Sequence, residues 1–386
     1  MSISPPDNAY PDGSARKPSK LPYYVYLTEE AAQIFEKSTR EGSYALSPDE
    51  RWWSARESCL FSAGYSLRPR YHANWSPSWL GTRLNPLFCE DSIMSERYHI
   101  MDAVRKRDGA VVTIKMVKKD TREVAIAQYL SSATLAKDPH NHCVSVFDVL
   151  PDPFEPKKML MIMQYLRPFD DPPFMALGEV IDFISQTLEG ISFLHRHRVA
   201  HRDCAGANIM MDGRPLYPEG HHPVSRDLST DAIYDIVPRS RLDHPVRYYY
   251  IDFGISSFFP VGAPPLVLGL DGRDKEVPEL SDRAPYNAFK VDIFILGNLY
   301  RKHFVQKYND FKMLESLIDG MTRKIPEERL TADEAVVFFQ GIRSTVDPVQ
   351  WRARLRPRGE STPEWMLNNA VHMAREGVYR MKKLVA

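Results

Sequence analysis

Two acids and an amide recur in this chain at spacings that suit phosphate chemistry. His201-Arg202-Asp203-Cys204-Ala205-Gly206-Ala207-Asn208 fixes an acid and an amide on one short loop, and Tyr249-Tyr250-Ile251-Asp252-Phe253-Gly254 delivers a second acid at the end of an apolar run. Mg²⁺ takes a few hard oxygen ligands and shares its shell with substrate phosphates. Asn208 and Asp252 are the metal candidates, which leaves Asp203 to accept a hydroxyl proton.

Upstream, Val112-Thr113-Ile114-Lys115 ends an apolar strand with a cation, whose charge belongs at a cleft rather than in a core. Glu123 opens Glu123-Val124-Ala125-Ile126-Ala127-Gln128-Tyr129-Leu130, whose apolar positions share one helical face, and is the candidate partner of Lys115. Tyr98-His99-Ile100 and Val111 to Lys115 flank the turn Asp108-Gly109, the pattern of a hairpin.

In these residues the chain resembles the eukaryotic protein kinases, with H-R-D-x-x-x-x-N at His201 to Asn208, D-F-G at Asp252 to Gly254, and the lysine of V-A-I-K at Lys115. The resemblance implies an α+β, two-lobed fold, with a small β-rich N-lobe and a larger α-helical C-lobe. It implies an ATP- and Mg-dependent protein kinase. Asp203 would act on the acceptor hydroxyl, Lys115 with Glu123 would position phosphates, and Asn208 with Asp252 would hold metal. Adenine would meet the backbone near Gln164 and Leu166, where the apolar strand Met159 to Met163 ends. Val277-Pro278-Glu279 stands where the family has A-P-E, with Arg329 as the partner of Glu279, and Asp292 as the buried acid that anchors the catalytic loop. The inserted stretch, the Leu67-Arg68-Pro69-Arg70-Tyr71 region and the hinge style also resemble the divergent protein kinases of mushroom-forming fungi.

The pattern departs from the family in three places. No glycine occurs from Leu84 to Asp108, so a G-x-G-x-x-G loop is missing, and Glu90 to Glu96 lies roughly in its place. Ala205 stands where serine/threonine kinases place a lysine. Residues 258–280 carry no Ser, Thr or Tyr, so a phosphate in mid-loop cannot be the activating group, and Arg202 is expected to pair with Asp274 or Glu276 instead. Phosphotransfer to a protein hydroxyl is the favoured function, serine/threonine on base rate alone. The alternatives are a pseudokinase that acts as a nucleotide-binding or scaffolding module and, with less support, a small-molecule kinase.

Around this centre the organisation reads as follows. Residues 1–22 are polar, Pro-rich and expected to be a disordered tail. Residues 23–87 form a helical N-terminal extension, including a helix over 48–63 opened by the capping box Ser47-Pro48-Asp49-Glu50. The kinase-like domain spans 88–343, with an N-lobe over 88–163, a hinge at 164–167, a C-lobe over 168–343 and an insertion at 212–246; a helical extension covers 344–386. A helix over 177–197 presents Val180, Ile181, Ile184, Leu188, Ile191 and Leu194 to the core. Residues 284–297 read as a second buried helix. The insertion reads as a surface excursion whose His221 and His222, like His244, are solvated, since a metal would need a third close ligand.

Composition narrows the partners. Fifty basic residues balance fifty acidic ones, which gives no field to recruit nucleic acid or an anionic membrane. The four cysteines lack paired spacing, and no apolar run approaches the ~20 residues of a membrane span. ATP and a protein substrate are the expected partners, and the cytoplasm or nucleus is the expected location.

Overall fold

A computed structural model describes residues 21–347 and 349–385, with side chains described through residue 374. The tail expected over 1–22 falls, for residues 1–20, outside the described residues. The chain divides into two compact units, one of Met1–Tyr98 with Gly220–Ile236, the other of His99–Glu219 with Val237–Ala386.

The first unit holds α1 (Glu29–Arg40), α2 (Pro48–Ser54), α3 (Glu57–Ser62) and the short strand β1 (Tyr65–Ser66). Thr28 caps α1, accepting from Ala31 N, and Ser47 with Glu50 forms the full capping box of α2. The single helix expected over 48–63 is broken after Ser54. Glu50 is drawn out of the helix's solvent face to meet the buried Arg70, whose Nε donates to Glu50 Oε1 at 2.6 Å. Asp91 accepts from Trp75 Nε1 and Ser78 N, so the acidic stretch that occupies the glycine loop's place in sequence is tied down here.

Gly220–Ile236, expected as a solvated excursion, is an integral part of this unit. His222 is fully buried. Its Nδ1 accepts from Val224 N and Ser225 N, so the proton sits on Nε2, which donates to Glu90 Oε1 at 3.3 Å. Burial opposes ionisation of Glu90, but hydrogen bonds from His222 and the charge of Arg68 hold its carboxyl below the usual range.

In the second unit, β2 (Ile100–Arg105), β3 (Val111–Lys118), β4 (Val146–Pro151) and β5 (Lys158–Gln164) form an antiparallel run in the order β2-β3-β5-β4. The Asp108-Gly109 turn joins β2 to β3, and Gly109 takes the positive φ that such a turn needs. Helix α4 (Arg122–Leu130) follows β3 after one short turn.

The helical part begins with β6 (Arg167–Pro168) and α5 (Leu177–Arg196). All six apolar residues expected to face the core on α5 are at most 1% exposed. Strands β7 (Val199–Ala200), β8 (Ile209–Met211), β9 (Tyr248–Tyr250) and β10 (Ser257–Phe258) make two small antiparallel sheets, β6-β8-β9 and β7-β10. Then β11 (Leu266–Gly269) pairs with β12 (Ser281–Asn287). Helix α6 (Ala288–Tyr300) therefore starts later than the expected residue 284. Pro285 lies in the strand, and the Asn287 side chain caps the helix by accepting from Phe289 N. Helices α7 (Glu315–Met321), α8 (Ala332–Thr345) and α9 (Thr362–Val385) complete the unit, with Thr331 and Glu334 forming the capping box of α8. Residues 176 and 354 form a β-bridge, which ties the C-terminal stretch to the start of α5.

Candidate active site

Lys115 lies in β3 opposite Met161 of β5, and the neighbouring Ile114 points into the apolar core at 0% exposure. Lys115 therefore leaves the opposite face of the sheet. Its Nζ donates to Glu123 Oε1 at 2.5 Å and to Asp252 Oδ1 at 2.8 Å. Burial alone would lower the lysine pKa, but the two carboxylates together raise it above its ordinary value. Burial likewise opposes the charge of Asp252, and Lys115 reverses this, holding the carboxyl below the usual range. An ammonium has three donors, and two are spent in this triad.

The catalytic-loop candidates form a second group. Asn208 Nδ2 donates to Asp203 O at 2.9 Å and to Asp203 Oδ2 at 2.8 Å, which fixes the amide and turns its oxygen away. Asp203 N donates to His201 Nδ1 at 3.2 Å, so His201 carries its proton on Nε2, which donates a hydrogen bond to Ile251 O at 3.0 Å. Complete burial lowers the His201 pKa, which keeps this strut neutral. The two groups are joined through the ladder: Ile209 pairs with Tyr250, and Ile251 N donates to Asn208 O at 3.0 Å. Asp252 follows directly.

Asp292, fully buried on α6, organises the loop from below. Its carboxylate accepts from His201 N at 2.9 Å, Arg202 N at 2.6 Å and His195 Nε2 at 2.8 Å. These bonds hold Arg202 at φ 66°, and Asp252 sits at φ 63°, both in the left-handed region that side chains with a Cβ avoid. The anchoring acid expected at Asp292 makes these bonds, and Arg329 clasps both oxygens of Glu279 as expected. His195 was not foreseen.

The expected pairing of Arg202 with Asp274 or Glu276 does not occur. Arg202 Nη1 donates to Ile255 O at 3.0 Å and Nη2 to Leu268 O at 3.3 Å. The two acids are engaged elsewhere: Asn298 Nδ2 reaches Asp274 at 2.7 Å and Glu276 at 3.1 Å, and Lys302 pairs with Glu276 at 2.7 Å. Because Asn298 lies on α6, these acids brace the segment against the helix instead of meeting the catalytic loop.

Asp203 has a partner that sequence reasoning missed. Arg273 N donates to Asp203 Oδ1 at 2.7 Å, and Arg273 Nε lies 3.5 Å from Oδ2. Only the uncharged Ala205 hinted that a cation would come from elsewhere. Gln164 and Leu166 stand at and just beyond the end of β5. Gln164 N is committed to Ser145 O and its side chain to Asp212, while Leu166 is buried.

For a divalent metal, the leftover atoms are the right kind. Among the described residues Asn208 Oδ1 and Asp252 Oδ2 accept no hydrogen bond, and both are hard oxygen donors. Phosphate and water would have to complete such a shell; among the described residues no three His, Cys, Asp or Glu side chains converge.

Residues 99–218 match the family model for the protein kinase domain. That segment holds Lys115, Glu123, Asp203 and Asn208. The chain is 30% identical over 117 residues to a cell division control protein 2 homolog 3 of Trypanosoma brucei brucei, covering 28% of this chain and 37% of that protein. It is 22% identical over 323 residues to the serine/threonine-protein kinase PITSLRE of Drosophila melanogaster, covering 71% of this chain and 33% of the relative. A fibroblast growth factor receptor of Hydra vulgaris is 25% identical over 158 residues, 36% of this chain and 19% of the receptor. The chain thus spans little more than a third of these relatives at most. No helix among the described residues is long and apolar enough to cross a membrane.

Proposed function

We propose that the chain is an ATP- and Mg-dependent protein kinase with a two-lobed catalytic domain over residues 88–343, its hinge at 164–167. The observation that carries this reading is the Lys115, Glu123 and Asp252 triad joined to the Asp203 and Asn208 pair through Ile251. Packing alone gives no reason to gather so many charges at one place.

In this reading Lys115 offers its remaining N–H to the nucleotide phosphates, and Leu166 with the Gln164 carbonyl meets adenine. Asn208 Oδ1 and Asp252 Oδ2 would hold the metal, which would supply positive charge to neutralise the phosphates. Asp203 orients the acceptor hydroxyl. The hydroxyl oxygen bonds to the γ-phosphorus, its proton passes to Asp203, and the bond to the β,γ-bridging oxygen breaks with its electron pair leaving on ADP. The serine/threonine preference rests on the likeness to the Drosophila serine/threonine-protein kinase PITSLRE and on the greater frequency of serine and threonine as acceptors. Residues 23–87 and 344–386 are extensions of this domain.

A pseudokinase is the second reading, favoured by the absence of a glycine loop and by the covered state of Asp203, whose side chain is 13% exposed. Calorimetry with Mg-ATP tests the nucleotide site: Lys115→Met should weaken binding about tenfold, the scale of about one charge-assisted bond. Equal affinity in both proteins removes Lys115 from the site.

A further inference from the structure

Resting on the kinase reading, we propose that Arg273 supplies, from the segment after Gly254, the cation for the transferring phosphoryl group that the catalytic loop lacks at Ala205.

The position of the residue is built rather than incidental. Gly272 takes φ +105°, and a Cβ there would lie 3.0 Å from Arg202 O and 3.8 Å from Asp203 Oδ1, so the turn approaches the catalytic loop more closely than another residue would allow. Arg273 N then donates to Asp203 Oδ1, and its guanidinium Nε lies 3.5 Å from Oδ2. Both flanks are held: Arg202 Nη2 bonds Leu268 O, Tyr286 Oη bonds Gly269 O at 2.6 Å, and Asp274 is bound by Asn298.

Other nearby cations are spoken for. Lys115 is shared between Glu123 and Asp252, Arg202 is spent on backbone carbonyls, and Lys275 Nζ bonds Leu270 O at 2.7 Å. Among the described residues the two Nη atoms of Arg273 have no protein partner, and its side chain is 58% exposed. A guanidinium presents a planar fork of donors that matches phosphate oxygens, and here it stands beside the carboxylate that would receive the acceptor's proton. A pre-placed cation at that point acts where charge develops in the transfer.

The test uses the full chain as wild type, Arg273→Ala, Arg273→Lys, and the double variant Ala205→Lys with Arg273→Ala. Two quantities are read: the rate of phosphate transfer to a mixed protein substrate, and calorimetric affinity for Mg-ATP relative to Mg-ADP. Arg273→Ala should slow transfer about 100-fold, the scale of losing one pre-placed charge-stabilising donor, and should erase the preference for Mg-ATP over Mg-ADP. Arg273→Lys should retain part of the rate, and Ala205→Lys should restore at least about tenfold to Arg273→Ala. A merely structural Arg273 would not be rescued from Ala205. Unchanged or faster transfer in Arg273→Ala would overturn the proposal and make the turn a cover over Asp203. A wild type that transfers nothing would sink the kinase reading by itself; the Mg-ATP to Mg-ADP ratio then decides for Arg273, and a ratio unmoved by Arg273→Ala overturns its role.

Discussion

Lys115 Nζ lies 2.5 Å from Glu123 Oε1 although only eight residues separate them, because β3 ends at Lys118 and α4 begins at Arg122. The turn between them is short enough to aim the first turn of the helix back at the strand. Glu123→Gln removes one of the two charges that keep Lys115 ionised, and leaves Asp252 as its sole carboxylate partner. Lys115 should then settle on Asp252 and compete with a metal for that proposed ligand. We expect kcat/KM for transfer to fall by about 10- to 100-fold, within the span of a truncated charge pair, with the fold retained by circular dichroism. Unaltered kcat/KM would show that the pair does not serve the site.

Asp292 offers a test of how the loop is held. Asp292→Ala orphans the N–H groups of His201 and Arg202, each costing about 1–3 kcal/mol when buried without a partner. A loss of about 3–5 kcal/mol in urea unfolding, together with loss of transfer, is the expected outcome. A stable variant with intact transfer would mean that Arg202 keeps its left-handed backbone without this anchor.

The N-terminal unit carries its own charge pair. Glu50 is buried, which opposes its ionisation, yet hydrogen bonds from Arg70 and Ser47 lower its pKa. A lowered folded pKa gives stability that is present above the unfolded value of about 4.3 and is lost as pH falls through the lower folded value. Arg70→Met should destabilise by about 3–5 kcal/mol at neutral pH by stranding the carboxylate. That loss should already shrink as pH falls from 7 toward about 4, because burial without the cation raises the pKa of the stranded acid and neutralises it above the usual carboxylate range. A second change, Glu50→Gln, in the Arg70→Met background should recover much of the loss. An Arg70→Met penalty that is constant from pH 7 to pH 3 would contradict this.

Much of the site was legible in sequence because its residues lie in short motifs beside strong periodic elements. The hairpin around Asp108-Gly109, the apolar face of α5 and the capping box at Ser47 are local properties, and they form as their patterns require. Other features were not legible. His222 looks like a loop histidine until Glu90, 132 residues away, is seen to accept from it. Arg202 has carbonyl partners that carry no sequence signature. Arg273 reaches Asp203 across 70 residues through a backbone N–H, which every residue but proline possesses. Long-range backbone contacts are invisible to residue type, and here they decide what covers the central acid.

Phosphate transfer from labelled ATP with Mg²⁺ to a mixed protein substrate, compared between the intact chain and Asp203→Asn, tests the kinase reading most directly. Asparagine preserves size and, with its single acceptor oxygen, keeps one of the two side-chain bonds that Asp203 accepts from Arg273 N and Asn208 Nδ2, but it cannot take the hydroxyl proton. Transfer by the intact chain that drops at least about 100-fold in Asp203→Asn is the predicted result. Equal background in both proteins, with Mg-ATP still bound, would contradict it and make the chain a nucleotide-binding module without turnover.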